Sequence, residues 1–420
     1  MGTRLSPLSR QNLPALEQTG AEILDLPLPD GEMERRLEET DLVVDAVFGT
    51  GFSGDLPQHV AALFRQVESA GPPVVALDVP SGMNCDTGYC SPGTLRASQT
   101  LAFACLKPAH LLKASAPLCG HSTALDIGIT GEQLLQAGAF LRLDRAAAAA
   151  GLPRRTAHSH KGSYGKLLAV CGSDNMSGAA LLCCEGALRC GAGLVKLLSP
   201  REVLRAAAVR LPECLLAPPS DLQQALGWAD AAVCGCGMGT THAARQCLHA
   251  VLESFAGPLV LDADALNLLA GDADCLRRAA GEIVVTPHIG EMARLCGRTP
   301  EEVSNERFDV ALSFAQQYGV TVALKDSCTC VASPDGRLWL FDGGNSGLAK
   351  GGSGDVLAGI IASLAAQGAD GTAAALTGVW LHGAAADRAC AELGEYGMLP
   401  TDVIRHLPQA VRGLAQDKGE

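Results

Sequence analysis

Residues 345–359, NSGLAKGGSGDVLAG, combine a glycine-rich turn with one aspartate and lead into a long apolar stretch. A Gly-Gly-Ser-Gly-Asp turn at the start of a helix offers unpaired N–H groups and the positive end of the helix dipole, which stabilise a phosphate or a developing oxyanion. Asp355 in this turn is placed to accept a proton from a substrate hydroxyl. An ordinary helix N-cap formed by Ser353 or Asp355 explains the turn equally well. The turn alone leaves both interpretations open.

Two other turns carry ionisable groups at the ends of apolar runs. Lys325, in LKDSCT, has a charge and nearby hydroxyls that suit nucleotide phosphates, although a solvated lysine is the usual alternative. TPHIGEMARL places His288 and Glu291 in a strand-to-helix turn, where a histidine can bind a ligand. A packed His288 and a capping Glu291 are at least as common, so each of these turns is ambiguous by itself.

Two glycine- or aspartate-bearing turns, GCGMG at 235–239 and DADALN at 262–267, also follow apolar runs. The carboxyl ends of parallel strands meet at one edge of a sheet, where α/β folds normally bind substrates. The four strand-end loops together therefore predict a ligand cleft at that edge.

The elements that must position these loops follow a βαβ rhythm. Apolar strands at 41–51 and 72–82 flank the helical segment HVAALFRQVESA, and a third apolar run lies at 99–106. The segment at 144–165 has no periodicity, and the pattern starts again after it. The predicted strands of this second region are KLLAVCGS (166–173), GLVKLLS (193–199), AAVCG (231–235), LVLDA (259–263), EIVVTP (282–287), VTVALKD (320–326) and a hairpin at 328–341. We therefore predict an α/β protein with two domains, 1–145 and 152–420.

Composition excludes several classes of protein. The chain of 420 residues is 48% hydrophobic and carries a net charge of −13, which disfavours nucleic acid and anionic lipid as partners. Its amino terminus lacks the apolar core of a signal peptide, and no run is long enough to span a membrane, so we expect a soluble, cytoplasmic protein. The 17 cysteines include no CxxC pair and are expected to be reduced and buried. The pairs Cys234/Cys236 and Cys328/Cys330 could bind a metal, but no further ligand spacing accompanies them.

Seven segments, in order, resemble the NAD(P)H-hydrate dehydratase domain, a ribokinase-like family, over residues 152 to about 415. They are HKGSYGKLLAVCGSDNMSGAALL, GCGMG, LDADALNLL, TPHIGEMARL, LKDSCT, GNSGLAKGGSGDVLAGIIASLAAQG and VWLHGAAAD. The resemblance implies a three-layer α/β/α fold. It also implies ADP- or ATP-dependent dehydration of hydrated NADH and NADPH, in which the ring hydroxyl is phosphorylated and phosphate is expelled.

The resemblance also implies roles for individual residues. Asp355 is the expected base and a contact of the hydrated nicotinamide, and the dinucleotide is also expected to contact Ala179, Gly239 and His288. The nucleotide, with Mg²⁺, is expected to contact Gly354 and a run of five residues: Lys325, Asp326, Ser327, Cys328 and Thr329. Asp326 replaces a glycine usual in the family, and a carboxylate near phosphate is unfavourable unless it turns away. Ile289 replaces a common proline, which is a milder departure.

The first region resembles the epimerase half of the same bifunctional family, which interconverts the two hydrate stereoisomers, through DLVVDAVFGTGFSGDL and LDVPSGMNCDTG. The resemblance implies that Asp45 and Ser81 ligate K⁺, that the stretch from Gly49 to Asp55 lies along the substrate, and that Asp78 contacts it. From the residues alone, Asp45 and Asp78 stand near the ends of neighbouring strands. They could converge on a cleft or only cap loops.

A glycine- and asparagine-rich turn of the type GNGNNGGDG, which supplies the phosphate site of the epimerase half, has no counterpart in residues 1–40. We therefore expect an incomplete Rossmann-like α/β domain with weak or no epimerase activity.

Two other functions remain open from the sequence. Ribokinase-like folds also include kinases of small vitamin-precursor alcohols, which use the same aspartate and anion hole. The departures in the first domain and at Asp326 also allow a non-catalytic binding or scaffolding protein. The ordered motifs favour the dehydratase, and a homo-oligomer is possible in each case.

Overall fold

The computed structural model describes residues 7–26, 28–29 and 31–416. The chain forms two compact units, one ending at Leu134 and the other beginning at Leu135. This division lies earlier than the boundary predicted between 145 and 152. The division lies earlier because the strand Leu141–Arg142 pairs in parallel with the strand Leu338–Phe341 and therefore belongs to the second unit.

The first unit contains a four-stranded parallel sheet with the order β1-β2-β3-β4. Its strands are β1 (Val43–Asp45), β2 (Val74–Leu77), β3 (Gln99–Phe103) and β4 (His121–Leu125). Its helices are α1 (Pro7–Gln18), α2 (Glu32–Glu38), α3 (Gln58–Ala70) and α4 (Ala116–Cys119), and α5 (Gly131–Gln136) contains the boundary. The three predicted strands and the helix between the first two are present, whereas β4 was not predicted.

Helix α3 shows why this unit folds as a βαβ layer. Val60, Phe64 and Val67 recur at helical spacing and are buried with Val74 and Ala76 of β2. The helix ends at Ala70 and is followed by Gly71, whose φ of 78° lies in the left-handed region that favours glycine. The carboxyl ends of β1 and β2 are thereby fixed side by side.

The second unit is built on a ten-stranded sheet. Its strands are β5 (Leu141–Arg142), β6 (Lys166–Val170), β7 (Leu194–Leu198), β8 (Leu215–Ala217), β9 (Ala231–Cys234), β10 (Leu259–Leu261), β11 (Ile283–Val285), β12 (Thr321–Leu324), β13 (Thr329–Ala332) and β14 (Leu338–Phe341). Its helices are α6 (Arg145–Ala150), α7 (Ser177–Cys190), α8 (Arg201–Arg210), α9 (Leu222–Trp228), α10 (His242–Ser254), α11 (Asp264–Leu269), α12 (Ile289–Cys296), α13 (Pro300–Asn305), α14 (Arg307–Tyr318), α15 (Ser353–Ala366), α16 (Gly371–Gly397) and α17 (Pro400–Gln416).

The strand order in this sheet is β5-β14-β13-β12-β11-β10-β9-β6-β7-β8. The strands from β12 to β8 are parallel, and β13 and β14 form the predicted antiparallel hairpin. Every residue of β9, β10, β11 and β12 is buried, as expected for a sheet covered on both faces. The predicted α/β class with a parallel sheet is confirmed.

The register brings the carboxyl ends of the central strands to one edge. Val170 of β6 pairs with Cys234 of β9, and Cys234 pairs with Leu261 of β10. Leu261 pairs in turn with Val285 of β11. The loops that follow these strands therefore lie side by side, as the sequence predicted.

Helix α15 packs closely on α7 through two glycines. A Cβ on Gly359 would collide with the backbone of Cys183, and a Cβ on Gly186 would lie 3.1 Å from the carbonyl oxygen of Val356. This contact fixes the amino end of α15 beside the loops at the sheet edge. No helix in the described part of the chain is both long and apolar enough to cross a membrane.

Candidate active site

Helix α15 begins without a side-chain cap. Its N-cap position is Gly352, with φ at 101°, and no side chain accepts a hydrogen bond there. The hydroxyl of Ser353 is buried and has no hydrogen-bond partner, and Asp355 lies in the first helical turn. The alternative in which Ser353 or Asp355 caps the helix is therefore wrong, and the amino end of α15 is available to an anion.

Lys325 lies directly after β12 and is held by carboxylates. Its Nζ donates to Oδ1 of Asp262 at 2.7 Å and lies 3.9 Å from Oε2 of Glu291. The hydroxyl of Thr286 donates to the same Asp262 oxygen at 2.7 Å. Burial would lower the pKa of Lys325, but the charges of Asp262 and Glu291 outweigh it and raise that pKa. Lys325 is thus a fixed cation, not the solvated lysine of the alternative interpretation.

The surroundings of Lys325 favour its charged form, whereas those of Asp355 disfavour its charged form. A carboxylate oxygen of Asp355, one of Asp262 and the sulfur of Cys236 all lie within 4.8 Å of one another. Burial, together with Cys236 and Asp262, raises the pKa of Asp355 to about 9, and Lys325 only partly opposes the shift. A carboxyl group with so high a pKa in a cluster of charged groups is typical of an acid–base residue.

Gly354 lies next to the ammonium group of Lys325 and the carboxylate of Asp262. A Cβ at this position would lie 3.1 Å from Nζ of Lys325 and 3.8 Å from Oδ2 of Asp262. A side chain here would therefore crowd the ammonium group. The structure brings together three of the residues predicted from the sequence, Asp355, Gly354 and Lys325.

His288 is both a helix cap and a partly exposed group. Its Nδ1 accepts hydrogen bonds from the amides of Gly290 at 3.0 Å and Glu291 at 3.4 Å, and Glu291 accepts from the amide of His288 at 2.8 Å. The alternative in which Glu291 caps the helix is confirmed. The side chain of His288 is 53% exposed, so it is not packed, and its Nε2 lies 3.4 Å from Oε1 of Glu291.

The other predicted dinucleotide contacts, Gly239 and Ala179, lie at the glycine turn after β9. The amide of Gly239, at φ 77°, donates to Oδ2 of Asp264 at 2.8 Å. Ala179 of α7 packs on this turn, since a Cβ on Gly237 would lie 2.8 Å from the Cβ of Ala179. The carboxylate of Asp264 thus fixes the backbone of a turn that adjoins α7.

The run from Lys325 to Thr329 contains the unusual Asp326. Its Oδ2 accepts from a guanidinium nitrogen of Arg307 at 2.6 Å, so the added negative charge is compensated within the protein. The side chain of Cys328 is buried, Ser327 is exposed, and the hydroxyl of Thr329 donates to the carbonyl of Asp326 at 3.3 Å. The electrostatic objection to Asp326 is therefore weaker than the sequence suggested.

In the first unit, Asp45 and Ser81, the two expected K⁺ ligands, are hydrogen-bonded to each other. Oδ1 of the buried Asp45 accepts from the hydroxyl of Ser81 at 2.5 Å and from the amide of Val47 at 3.3 Å, and Oδ2 accepts from the amide of Ser81 at 2.7 Å. Carboxylate and hydroxyl oxygens are suitable ligands for a hard cation. An ion would have to replace the hydrogen bond that now joins them.

Asp78 has partners of its own. Its Oδ1 accepts from the amide of Phe103 at 3.0 Å and from the ammonium group of Lys107. Asp78 has a positive φ of 71°, which is uncommon for a residue with a side chain. Farther along the predicted substrate stretch, Asp55 accepts from the hydroxyl of Tyr89 at 2.7 Å, and the exposed Gly49 begins a turn closed by Phe52.

Sequence reasoning missed several residues of these sites. In the second unit they are Asp262 and Thr286, and in the first unit Lys107. The position of Asp262 in the DADALN turn, at the end of a predicted strand, was a usable signal. Nothing in the sequence indicated that it would be the partner of Lys325, 63 positions later.

Comparison with known protein families gives matches to both units. The family model described as NAD(P)H-hydrate dehydratase matches residues 167–409. The model described as YjeF-related protein N-terminus matches residues 3–109.

Curated proteins match nearly the whole chain. The bifunctional NAD(P)H-hydrate repair enzyme Nnr of Moorella thermoacetica is 37% identical, over 97% of this chain and 80% of that protein. The Nnr protein of Escherichia coli is 36% identical, over 91% of this chain and 73% of that protein.

A solved structure resembles the second part of the chain. The ADP/ATP-dependent NAD(P)H-hydrate dehydratase of Bacillus subtilis, crystallised with ATP and Mg²⁺, is 33% identical with a TM-score of 0.59. The similarity covers 66% of this chain and 99% of that one.

Proposed function

The chain belongs to the family of bifunctional NAD(P)H-hydrate repair enzymes, and on that basis we propose that its second unit converts (S)-NAD(P)H hydrate to NAD(P)H. ADP or ATP is the phosphoryl donor, and phosphate is released with AMP or ADP. The observation that carries this proposal is the partly buried carboxyl of Asp355, with a strongly raised pKa, beside the fixed cation Lys325 at an uncapped helix end.

The amino end of α15 suits a nucleotide phosphate. It has no side-chain cap, and the hydroxyl of Ser353 is buried without a partner. A Cβ added to Gly351 would meet nothing within 4 Å, so the backbone there is open to a ligand. Lys325, Gly354 and the backbone of residues 326–329 would complete the phosphate site. Mg²⁺ would be held largely through the phosphates, as is usual for this ion.

Asp355 supplies the proton acceptor. The bound nucleotide supplies the phosphoryl group that turns the ring hydroxyl of the hydrate into a better leaving group. Burial makes Asp355 a stronger base than an exposed aspartate, because its charged form is poorly solvated there. Lys325 and the N–H groups of α15 stabilise negative charge that develops on the transferred group.

His288 would bind the dinucleotide through Nε2, which would exchange its 3.4 Å contact with Oε1 of Glu291 for the substrate. Its Nδ1 is already occupied by two backbone amides, so the ring orientation is fixed while about half of the side chain remains exposed. An oriented N–H donor of this kind suits a substrate hydroxyl or amide oxygen. Gly239 and Ala179, on the adjoining turn and helix, would provide the backbone and apolar surface of the same site.

For the first unit, Asp45 and Ser81 would ligate K⁺, and Asp78, Gly49 and Asp55 would contact the substrate. The contact between Asp45 and Ser81 supports the ion site. The expectation of weak epimerase activity stays a prediction. Rapid, potassium-stimulated interconversion of the hydrate isomers by the purified chain would contradict it. Cytoplasmic location and homo-oligomerisation also stay predictions.

The direct test supplies purified protein with hydrated NADH, Mg²⁺ and either ADP or ATP, and follows recovery of the absorbance of reduced nicotinamide. We expect recovery that depends on the nucleotide and releases phosphate in equal amount. A parallel reaction offers a hydroxymethylpyrimidine or thiazole alcohol in place of the hydrate. Phosphorylation of that alcohol with the hydrate left unchanged would refute the proposal in favour of a vitamin-precursor kinase.

A further inference from the structure

Three cysteine thiols converge close to the proposed base, and one of them, Cys236, is also grouped with Asp355. The sulfur atoms of Cys171, Cys183 and Cys236 all lie within 4.8 Å of one another. Cys171 follows β6, Cys183 lies within α7, and Cys236 lies in the glycine turn after β9. Each is at most 2% exposed. We call these three residues the thiol cluster.

The surrounding backbone holds the thiol cluster in place. Cys183 lies at the close contact between α7 and Gly359 of α15, and the turn that carries Cys236 packs on Ala179 through Gly237. The amide of Gly172, next to Cys171, donates to the carbonyl of Cys236 at 2.9 Å. The three sulfur positions are therefore set by rigid elements, which favours a preformed site.

The spacing suits a thiophilic metal ion. Zinc–sulfur bonds of about 2.3 Å place tetrahedral sulfur ligands about 3.8 Å apart, so small side-chain movements would suffice. A fourth ligand is at hand, because Oδ2 of Asp262 lies 3.9 Å from the sulfur of Cys236. The one other cluster of three potential ligands found among the described residues, Cys236 with Asp262 and Asp355, shares Cys236 with the first.

We propose that Cys171, Cys183 and Cys236 form a binding site for a thiophilic divalent ion, Zn²⁺ or Cd²⁺, and that an ion bound there inhibits the reaction at Asp355. Binding releases the three thiol protons to solvent and forms three metal–sulfur bonds, with no change in oxidation state. The fourth position takes the carboxylate of Asp262 or water.

Inhibition follows from the position of Cys236. Its sulfur lies within 4.8 Å of carboxylate oxygens of both Asp262 and Asp355. An ion on this sulfur would draw Asp262 away from Lys325, and its charge would make Asp355 a weaker base. This consequence rests on the proposed function, whereas binding of the ion does not.

The test titrates the reduced, full-length protein with Cd²⁺ in the absence of nucleotide and follows the ultraviolet absorbance of cadmium–thiolate bonds. We expect one tight equivalent per chain. The variant Cys183→Ala removes the one thiol of the cluster that lies within a helix and is not grouped with Asp262 or Asp355. We expect it to weaken binding by about 100-fold or more.

The matched control is Cys190→Ala, which removes a buried thiol of the same helix outside the cluster. It should retain the tight equivalent, and the rise in melting temperature caused by Cd²⁺ should vanish only in Cys183→Ala. Equal absorbance and equal thermal shifts in the two variants would overturn the proposal. The thermal shift also reveals whether Cys183→Ala is folded, and Cys183→Ser is the substitute if it is not.

Measurements of activity with Cd²⁺ distinguish the proposed metal site from the proposed function. One equivalent of Cd²⁺ should abolish hydrate repair in the unmodified protein and leave Cys183→Ala active. Inhibition of both to the same extent would place the inhibitory ion elsewhere and refute its action through the cluster. A protein that binds Cd²⁺ as described but repairs no hydrate would leave the metal site intact and refute the proposed function.

Discussion

In the first unit, Asp45 accepts three hydrogen bonds from neighbouring groups, and Asp78 is paired with Lys107. In the second unit, Asp262 is satisfied in the same way by Lys325 and Thr286. For Asp355, burial together with Cys236 and Asp262 raises the pKa to about 9, and Lys325 compensates only in part.

The comparison separates two uses of a strand-end or helix-end carboxylate. A carboxylate that is fully paired orders the loops around it, as Asp262 orders Lys325. A carboxyl group that is buried near other acids resists ionisation and readily takes up a proton, which suits a general base. The first unit contains only paired carboxylates among these residues, whereas the second contains a paired carboxylate, Asp262, and a carboxyl group that resists ionisation, Asp355. We therefore expect the strongest response to single substitutions in the second unit.

The largest effect is expected from Asp355→Asn. Loss of the proton acceptor should reduce kcat for hydrate repair by about 10³-fold, with nucleotide affinity little changed. Single-turnover kinetics and nucleotide binding measure the two quantities separately. Asp45→Asn in the first unit is the control and should leave dehydration unaffected. A loss of less than about tenfold for Asp355→Asn would mean that another group is the base.

The next largest effect, on the free energy of unfolding, is expected when the lysine of a lysine–aspartate pair is removed. Lys325→Met leaves the carboxylate of Asp262, which is 2% exposed, buried without its cation, and should cost about 3 kcal/mol or more of unfolding free energy. Lys107→Met affects Asp78, which is 14% exposed, and should cost less. Hydrogen exchange of the strand amides reports each unit separately. An equal cost in both units would contradict the contrast.

The pH dependence of the reaction should follow Asp355. Its base form is the minor form at pH 7, so kcat/KM should rise about tenfold per pH unit and level off above pH 9. Asp355→Asn should lack this rise in its residual rate. A plateau that already begins near pH 5 would show that the carboxyl group is ionised in the free enzyme.

The same shift affects stability in a defined direction. The folded protein holds the Asp355 proton more tightly than the unfolded chain does, so this contribution is present at low pH and is lost as the pH rises from about 3.8 to about 9. Denaturant unfolding at several pH values should show the loss in the unmodified protein and a smaller one in Asp355→Asn.

The smallest effect is expected at Asp326. Because its carboxylate is paired with Arg307 in a partly exposed ion pair, Asp326→Gly should change KM for ADP by less than about fivefold. Steady-state kinetics at saturating hydrate provide the measurement. A gain in nucleotide affinity of more than about tenfold would show that the Asp326 charge does repel the phosphates.

Much of the fold could be predicted from the sequence, because apolar runs, glycine turns and the βαβ rhythm are local. The strands of the second unit from β6 to the hairpin correspond to predicted segments, except for β8. Strand β8 was not predicted; it has only three residues, and two of them, Leu215 and Leu216, are exposed at the sheet edge. Strand β5 has two residues and depends on its pairing with β14, so no local pattern marks it.

The sequence by itself determined the order of the strand-end loops and singled out Asp355 and Lys325 as candidates, because residue type and position in a turn are local properties; the family resemblance added Gly354. Only the tertiary structure showed that Asp262 holds Lys325, that Arg307 neutralises Asp326, and that the thiol cluster unites cysteines from three elements. The sequence had singled out Cys234 and Cys236 as a pair, whereas Cys236 instead joins Cys171 and Cys183. Alternate residues of a strand and the turn after it point to different sides, and side chains distant in sequence meet only when helices and strands pack.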